Sequence, residues 1–229
     1  MLKLRKAQER GDGSHDWLQS RHSFSFADYY DPQHMHFSHL RVINEDIIAP
    51  GTGFGLHPHK DMEILTYVLS GTVEHRDSMG NTTRVNAGEF QIMSAGSGIF
   101  HSEINPSENQ PLHLYQIWII PEQKGITPRY RQGSFVPQPG ATLILSPQAE
   151  QGSFKVYQDM KLWRYCYEEA QQENLSLNPQ RSYWLQVVSG ELSINGTPLS
   201  AGDALGIKAE QALQLKTSAP TEFLLFDLV

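Results

Sequence analysis

Short apolar-rich runs recur along the whole chain and end at turn signals, while helical periodicity is scarce. The clearest are LRVIN (40–44), EILTYVL (63–69), GTVEH (71–75), EFQIMS (89–94), LHLYQIWII (112–120), YWLQVV (183–188), ELSIN (191–195) and TEFLLFDL (221–228). Between them stand Ser70-Gly71, Met79-Gly80-Asn81, Ala87-Gly88, Ser189-Gly190, Asn195-Gly196 and Ala201-Gly202, residue types that supply turn geometry. Asn195-Gly196 predicts a two-residue hairpin. Many short strands with regular turns predict an all-β sandwich or barrel.

An internal repeat sharpens this picture. YVLSGTVEH followed by AGEFQIM (67–75, 87–93) reappears as QVVSGELSI followed by AGDALGI (186–194, 201–207). The Ser-Gly pairs are 119 residues apart and the Ala-Gly pairs 114, the difference being a longer hairpin, DSMGN (77–81), in the first copy. Two similar β-barrels in tandem follow, with few short helices. The Pro-, Gly- and polar-rich stretch 121–140 reads as the connection between them. The expected division is 1–125 for the first barrel, 126–139 for a linker and 140–229 for the second barrel.

Composition narrows the function classes. The chain has 229 residues, enough for two small cores, with 39% hydrophobic and 19% charged residues, ordinary values for a folded protein. A net charge of −7 gives no electrostatic footprint for nucleic acid. The basic cluster Lys3, Arg5, Lys6 and Arg10, interrupted by Glu9, reads as a solvated surface. No run approaches the ~20 apolar residues needed to cross a bilayer, and the N-terminus lacks a signal-like apolar core, so a cytoplasmic protein without membrane contact is expected. The one cysteine, Cys166, excludes an internal disulfide and reads as a core thiol.

All ten histidines lie at or before His113, so any imidazole chemistry belongs to the first barrel. In a strand, residues i and i+2 share a face. His57-Pro58-His59 therefore aims two imidazoles one way, and His101-Ser102-Glu103 does the same for an imidazole and a carboxylate. A meander can bring the second pair beside the first. Three neutral imidazoles and one carboxylate would hold a divalent ion with a net charge of about +1 and leave an octahedral ion two open positions. That suits an anionic substrate or dioxygen better than a closed, thiolate-rich structural zinc site.

Other candidates carry less. Gly51-Thr52-Gly53-Phe54-Gly55 leads into a strand without a Lys-Ser/Thr ending, so it reads as a flexible loop rather than a phosphate loop. His22, His34, His36 and His39, with Phe24, Phe26, Tyr29 and Tyr30, suggest a segment lining the barrel mouth. His75 and His113 lie outside the ligand pairs and are expected to be satisfied within the fold. Phe54, Met62, Met93 and Ile99 flank the ligand segments as apolar walls or core.

The spacing of Gly51, His57, His59 and Gly71 resembles the first cupin motif, and Gly88, Gly96, His101 and Asn105 resemble the second. HSFSFADYYDP (22–32), HPHKDMEILTYVLSGTVEHRDSMGN (57–81) and SAGSGIFHSE (94–103) are similar to the pirin branch of that superfamily. The resemblance implies two tandem jelly-roll barrels with metal in the first only. The usual first-motif glutamate would fall on Ile64, with Glu63 one position off as an outer or rim charge. The carboxylate ligand is then Glu103, giving the metal set His57, His59, His101 and Glu103. Fe(II) is the expected ion, with Zn, Mn, Ni, Co and Cu also compatible.

Similarity to pirins further implies a metal-dependent, quercetin 2,3-dioxygenase-like oxidoreductase that cleaves flavonols with O2. Glu103 would act as the catalytic base toward the flavonol 3-hydroxyl. The alternative is a non-catalytic, iron-binding and redox-responsive module that docks on a protein partner.

Overall fold

The computed structural model describes residues 1–136, 140–218 and 220–229. Regular structure among these residues is almost entirely β, with two single-turn 3-10 helices at Ala7–Glu9 and Glu150–Gly152. No helix is long and apolar enough to cross a membrane. The chain folds as two compact units, Gly11–Phe135 and Met1–Arg10 with Val136–Val229.

In the unit Gly11–Phe135, one sheet runs in the order Arg129–Ser134, Glu89–Ser94, Glu63–Ser70, Leu112–Ile119, Leu40–Ile48, Leu18–His22 and Gly11–Asp12. A smaller sheet runs Gly53–His59, Ile99–Ile104, Thr72–Asp77 and Thr82–Asn86. All pairings in both sheets are antiparallel. Strand alternation sorts the side chains: Leu18, Ser20 and His22 are buried while Gln19 and Arg21 are exposed. Two apolar clusters are buried in this unit. One holds Leu18, Ile48, Val68, Val73, Val85, Leu112 and Leu114; the other holds Ile64, Met93, Ala95 and Ile99, with Met62, Trp118 and Tyr130 packed against it.

The other unit repeats the plan with a seven-stranded and a four-stranded sheet among the described residues. Its core is one aliphatic and aromatic cluster that includes Leu185, Val187, Ile194, Leu205, Leu213, Leu215 and Leu225. The tandem all-β architecture read from the repeat is therefore observed. Asn195 and Gly196, both at positive φ, turn the hairpin between Glu191–Ile194 and Thr197–Ser200.

The expected boundaries need correction at both ends. Residues 129–134, read as linker, form a strand that pairs with Glu89–Ser94; 137–139 lie outside the described residues. The first ten residues belong to the second unit, because Leu2–Arg5 pairs with Ala204–Lys208 and Leu2 and Leu4 pack on its core. The basic cluster is correspondingly not a solvated face. Arg5 and Arg10 are buried, and Lys6 Nζ lies 2.8 Å from the buried Asp203 carboxylate. Cys166 is half-buried rather than core, and burial pushes its thiol up to about 11.

Candidate metal centre

The segment read as a glycine loop is largely strand. Gly53 opens the strand Gly53–His59 at a φ of +152°, and a Cβ there would lie 2.3 Å from the Glu103 carbonyl oxygen. Only glycine lets this strand lie so close to Ile99–Ile104. Pairing sets His101 opposite His57, with an irregularity before Glu103. The rings of His57, His59 and His101 converge, with centroids 4.8, 4.5 and 4.9 Å apart. One nitrogen from each lies within 4.8 Å of the others.

Glu103 reaches the same ring from beyond. His75, His101 and Glu103 form a second group whose ligand atoms lie within 4.8 Å of one another. His101 is common to both groups, with His57 and His59 in one and Glu103 in the other. Glu103 is buried in a polar cage: its Oε1 accepts hydrogen bonds from Thr66 Oγ1 at 3.1 Å and Gln91 Nε2 at 2.6 Å. Its Oε2 accepts one from Gln116 Nε2 at 2.6 Å. A carboxylate has about four lone-pair sites, so these bonds fix its orientation and leave about one, on Oε2, for an ion or a proton.

The outer hydrogen bonds turn the imidazole lone pairs inward. His57 Nδ1 donates to the Gly55 carbonyl at 2.7 Å, which leaves Nε2 bare. His75 Nε2 donates to Asp77 Oδ2 at 3.0 Å, so His75 Nδ1 is an acceptor and faces His101 Nδ1 at 3.5 Å. His101 then carries its proton on Nδ1 and presents Nε2, tautomers that follow from the bonding network. Burial alone would raise Asp77, but bonds from Asn81 and His75 outweigh it and hold the carboxyl below its usual range. The extra hairpin of the first repeat thus anchors Asp77, Asp77 orients His75, and His75 orients His101.

Electrostatics agree with this donor set. Burial, then the neighbouring His101 and His57, lowers His59 to about 4. Burial, then His57 and His75, lowers His101 to about 3. Both rings are therefore neutral at pH 7, the form that binds metal. Three imidazole nitrogens, those of His57 and His101 with their tautomers fixed, and one partly committed carboxylate fit a divalent transition ion, and the absence of thiolate disfavours a soft structural site.

Several residues fall differently from the sequence reading. His75 is fully buried beside the site, stacked on Tyr130 with centroids 4.3 Å apart. Tyr130, from the stretch read as linker, also donates to Gln91 Oε1 at 2.9 Å and so supports the Glu103 cage. Glu63 is buried 3.7 Å from the Arg129 guanidinium, on the other face of its strand from Thr66, and takes no part in the site. His34 pairs with Asp31 at 2.7 Å and His113 with Glu45 at 2.9 Å. Of the four early histidines, only His22 is buried. Thr66, Gln91 and Gln116 carried a readable signal: polar residues at inward positions of strongly apolar strands.

Comparison with known proteins extends the geometry. The Pirin family model matches residues 3–119, and the model of the quercetinase C-terminal cupin domain matches residues 143–228. A protein of Escherichia coli K12 named quercetin 2,3-dioxygenase is 58% identical, over 100% of this chain and 99% of its own length. The crystal structure of YhhW from Escherichia coli superposes with a TM-score of 0.98 at 58% identity, covering 100% of this chain and 98% of that one. A second crystal structure, described as bacterial pirin YhhW in complex with nickel(II), gives 0.96 at 58% identity over 100% and 99% of the two chains. This chain belongs to the pirin family.

Proposed function

We propose that this chain is a metal-dependent dioxygenase that opens flavonols such as quercetin with O2, and that His57, His59, His101 and Glu103 hold its divalent ion. The clustering of the His57, His59 and His101 imidazoles, with the caged Glu103 carboxylate next to His101, carries this reading. Full-length relatives named quercetin 2,3-dioxygenase, and a relative described in complex with nickel(II), support it. We take Fe(II) as the native ion because the reaction uses dioxygen.

When bound, a redox-active divalent ion supplies the Lewis acidity and the electronic access to dioxygen that no side chain here offers. The chain does the rest. His57 and His101 present lone pairs of fixed direction and His59 adds a third nitrogen beside them, so little reorganisation accompanies binding. Thr66, Gln91 and Gln116 hold the Glu103 carboxylate so that Oε2 keeps one acceptor site. Glu103 Oε2 takes the proton of the flavonol 3-hydroxyl on the one site it would otherwise offer the ion, so it exchanges the one for the other, and the three donors keep the carboxyl in place while it does so. Ile64, Met93 and Ile99 form an apolar cluster with Trp118, whose ring meets that of His59 at 4.8 Å.

Purified, iron-loaded protein incubated aerobically with quercetin tests the proposal. Oxygen uptake matched by loss of flavonol absorbance is expected. Unchanged absorbance with no oxygen uptake would contradict it.

A further inference from the structure

Beside the candidate metal centre lies a cavity of about 370 Å³ that the reaction outlined above leaves unused. Leu18–His22 and Leu40–Ile48 line one side, and Phe54, on the strand that carries His57 and His59, lines the other. Its volume is in the range of small-molecule sites.

The wall is half apolar and half polar. Phe26 and Phe54 offer flat aromatic surface, while Ser20, His22, Asn44 and Asp46 form a patch in which every side chain is at least nine-tenths buried. Ser20 Oγ bridges the patch, 2.8 Å from His22 Nε2 and donating to Asp46 Oδ1 at 2.5 Å. Among the described residues nothing hydrogen-bonds Asn44 Oδ1, although it is buried. A native interior rarely leaves an acceptor in that state unless water or a ligand meets it. Close packing completes the wall: a Cβ on Gly13 would lie 2.2 Å from His22 Cε1.

The cavity is continuous in structure with the Glu103 cage. Gln91, Thr66, Gln116, Asn44 and His22 are successive cross-strand partners, so one polar row runs from the cage into the cavity. On the opposite side the Phe54 ring lies 6.5 Å from that of His57. A planar molecule held at the metal centre therefore has this cavity as a neighbour, with aromatic faces to stack on and buried acceptors at its far wall.

We propose that the cavity receives the ring of a planar polyphenol remote from the metal, and that Asn44 and Asp46, braced by Ser20 and His22, select ring hydroxyls as hydrogen-bond donors. This rests on the flavonol reading above and adds what chooses among flavonols. Asn44 Oδ1 requires a donor, which a phenolic hydroxyl supplies and a methoxy group does not. Burial raises Asp46 to about 7, against the lowering bond from Ser20, so near neutrality the carboxyl is only about half ionised. That suits a neutral phenol better than an ionic ligand.

The test is equilibrium binding of metal-loaded protein without oxygen, read by fluorescence quenching or calorimetry. The probes are quercetin, galangin (no hydroxyl on the remote ring) and a flavonol with those hydroxyls methylated. Wild type should bind quercetin about tenfold or more tightly than either analogue. Asn44→Leu removes the orphan acceptor and Asp46→Asn preserves shape, so both are expected to fold. Each should reduce the quercetin preference to about threefold or less, with ion content unchanged. Equal affinity of wild type for the three probes would overturn the inference. So would an unchanged preference in both variants, which would make the cavity a water site only. Preferential binding with no oxygen uptake would break the proposed reaction and leave this inference standing; turnover without ring preference would do the reverse.

Discussion

The two units share a frame and differ in one interior layer. In Gly11–Phe135 the cross-strand row Gln91, Thr66, Gln116 and Asn44 crosses the interior. The repeat places Leu205, Leu185, Leu225 and Trp163 at the same register in the other unit. Glu103, paired with His75, corresponds to Leu215, paired with Ile194. His101, two residues before Glu103, corresponds to Leu213. The frame thus closes well around aliphatic side chains, and a polar layer is not what folds it. Buried polar groups cost stability unless every one is bonded, which favours the ligand role proposed for the polar cage of the first unit.

The comparison breaks most visibly if the layers are exchanged. Leu215→Glu would bury a carboxylate with no Thr66, Gln91 or Gln116 to receive it. We expect a loss of about 3–5 kcal/mol in that unit's denaturant unfolding. Glu103→Leu does the converse, leaving three buried donors unsatisfied at about 1–3 kcal/mol each, partly offset by the added leucine. Adding Thr66→Leu, Gln91→Leu and Gln116→Leu should recover most of that loss while metal binding stays absent. A quadruple variant no more stable than Glu103→Leu would show that the two layers are not interchangeable.

A smaller effect separates the ligands from their support. His75→Ala or Asp77→Asn should weaken metal affinity about 10–100-fold, measured by competition with a chelator, because each loosens the His101 tautomer. Unchanged affinity would remove the relay from the account.

The mildest expected effect is on pH dependence. His59 and His101 have folded values lowered to about 4 and about 3, so the stabilisation from keeping them neutral is present above their ordinary value near 6.5. It is lost as pH falls through their folded values. Asp46, raised to about 7, has the opposite sign: its contribution is present below the ordinary carboxyl value and lost as pH rises toward 7. Metal-free protein should therefore lose stability from about pH 6.5 to 3, and Asp46→Asn should steepen that loss. Chemical denaturation across this range checks both trends, and identical slopes in the two proteins would contradict the assignment.

Much of this was legible in the sequence because strand chemistry is local. Alternation at His57/His59 and His101/Glu103 set the candidate ligands on common faces, and the repeat gave the tandem barrels. What escaped depends on pairing across long separations. Tyr130 lies in a stretch whose Pro and Gly content hides a strand, visible only once Glu89–Ser94 is its neighbour. Leu2–Arg5 pairs with residues some two hundred positions away, so nothing local assigns it to the second unit. His75 enters the site through its register with Glu103 and its bond to Asp77, and neither follows from its own neighbours.

Metal content measured by elemental analysis on wild type and His101→Ala tests the central claim most directly, since His101 is the residue both ligand groups share. About one divalent ion per chain in the wild type and almost none in the folded variant is the predicted result. Full occupancy in His101→Ala would contradict the assignment of the centre.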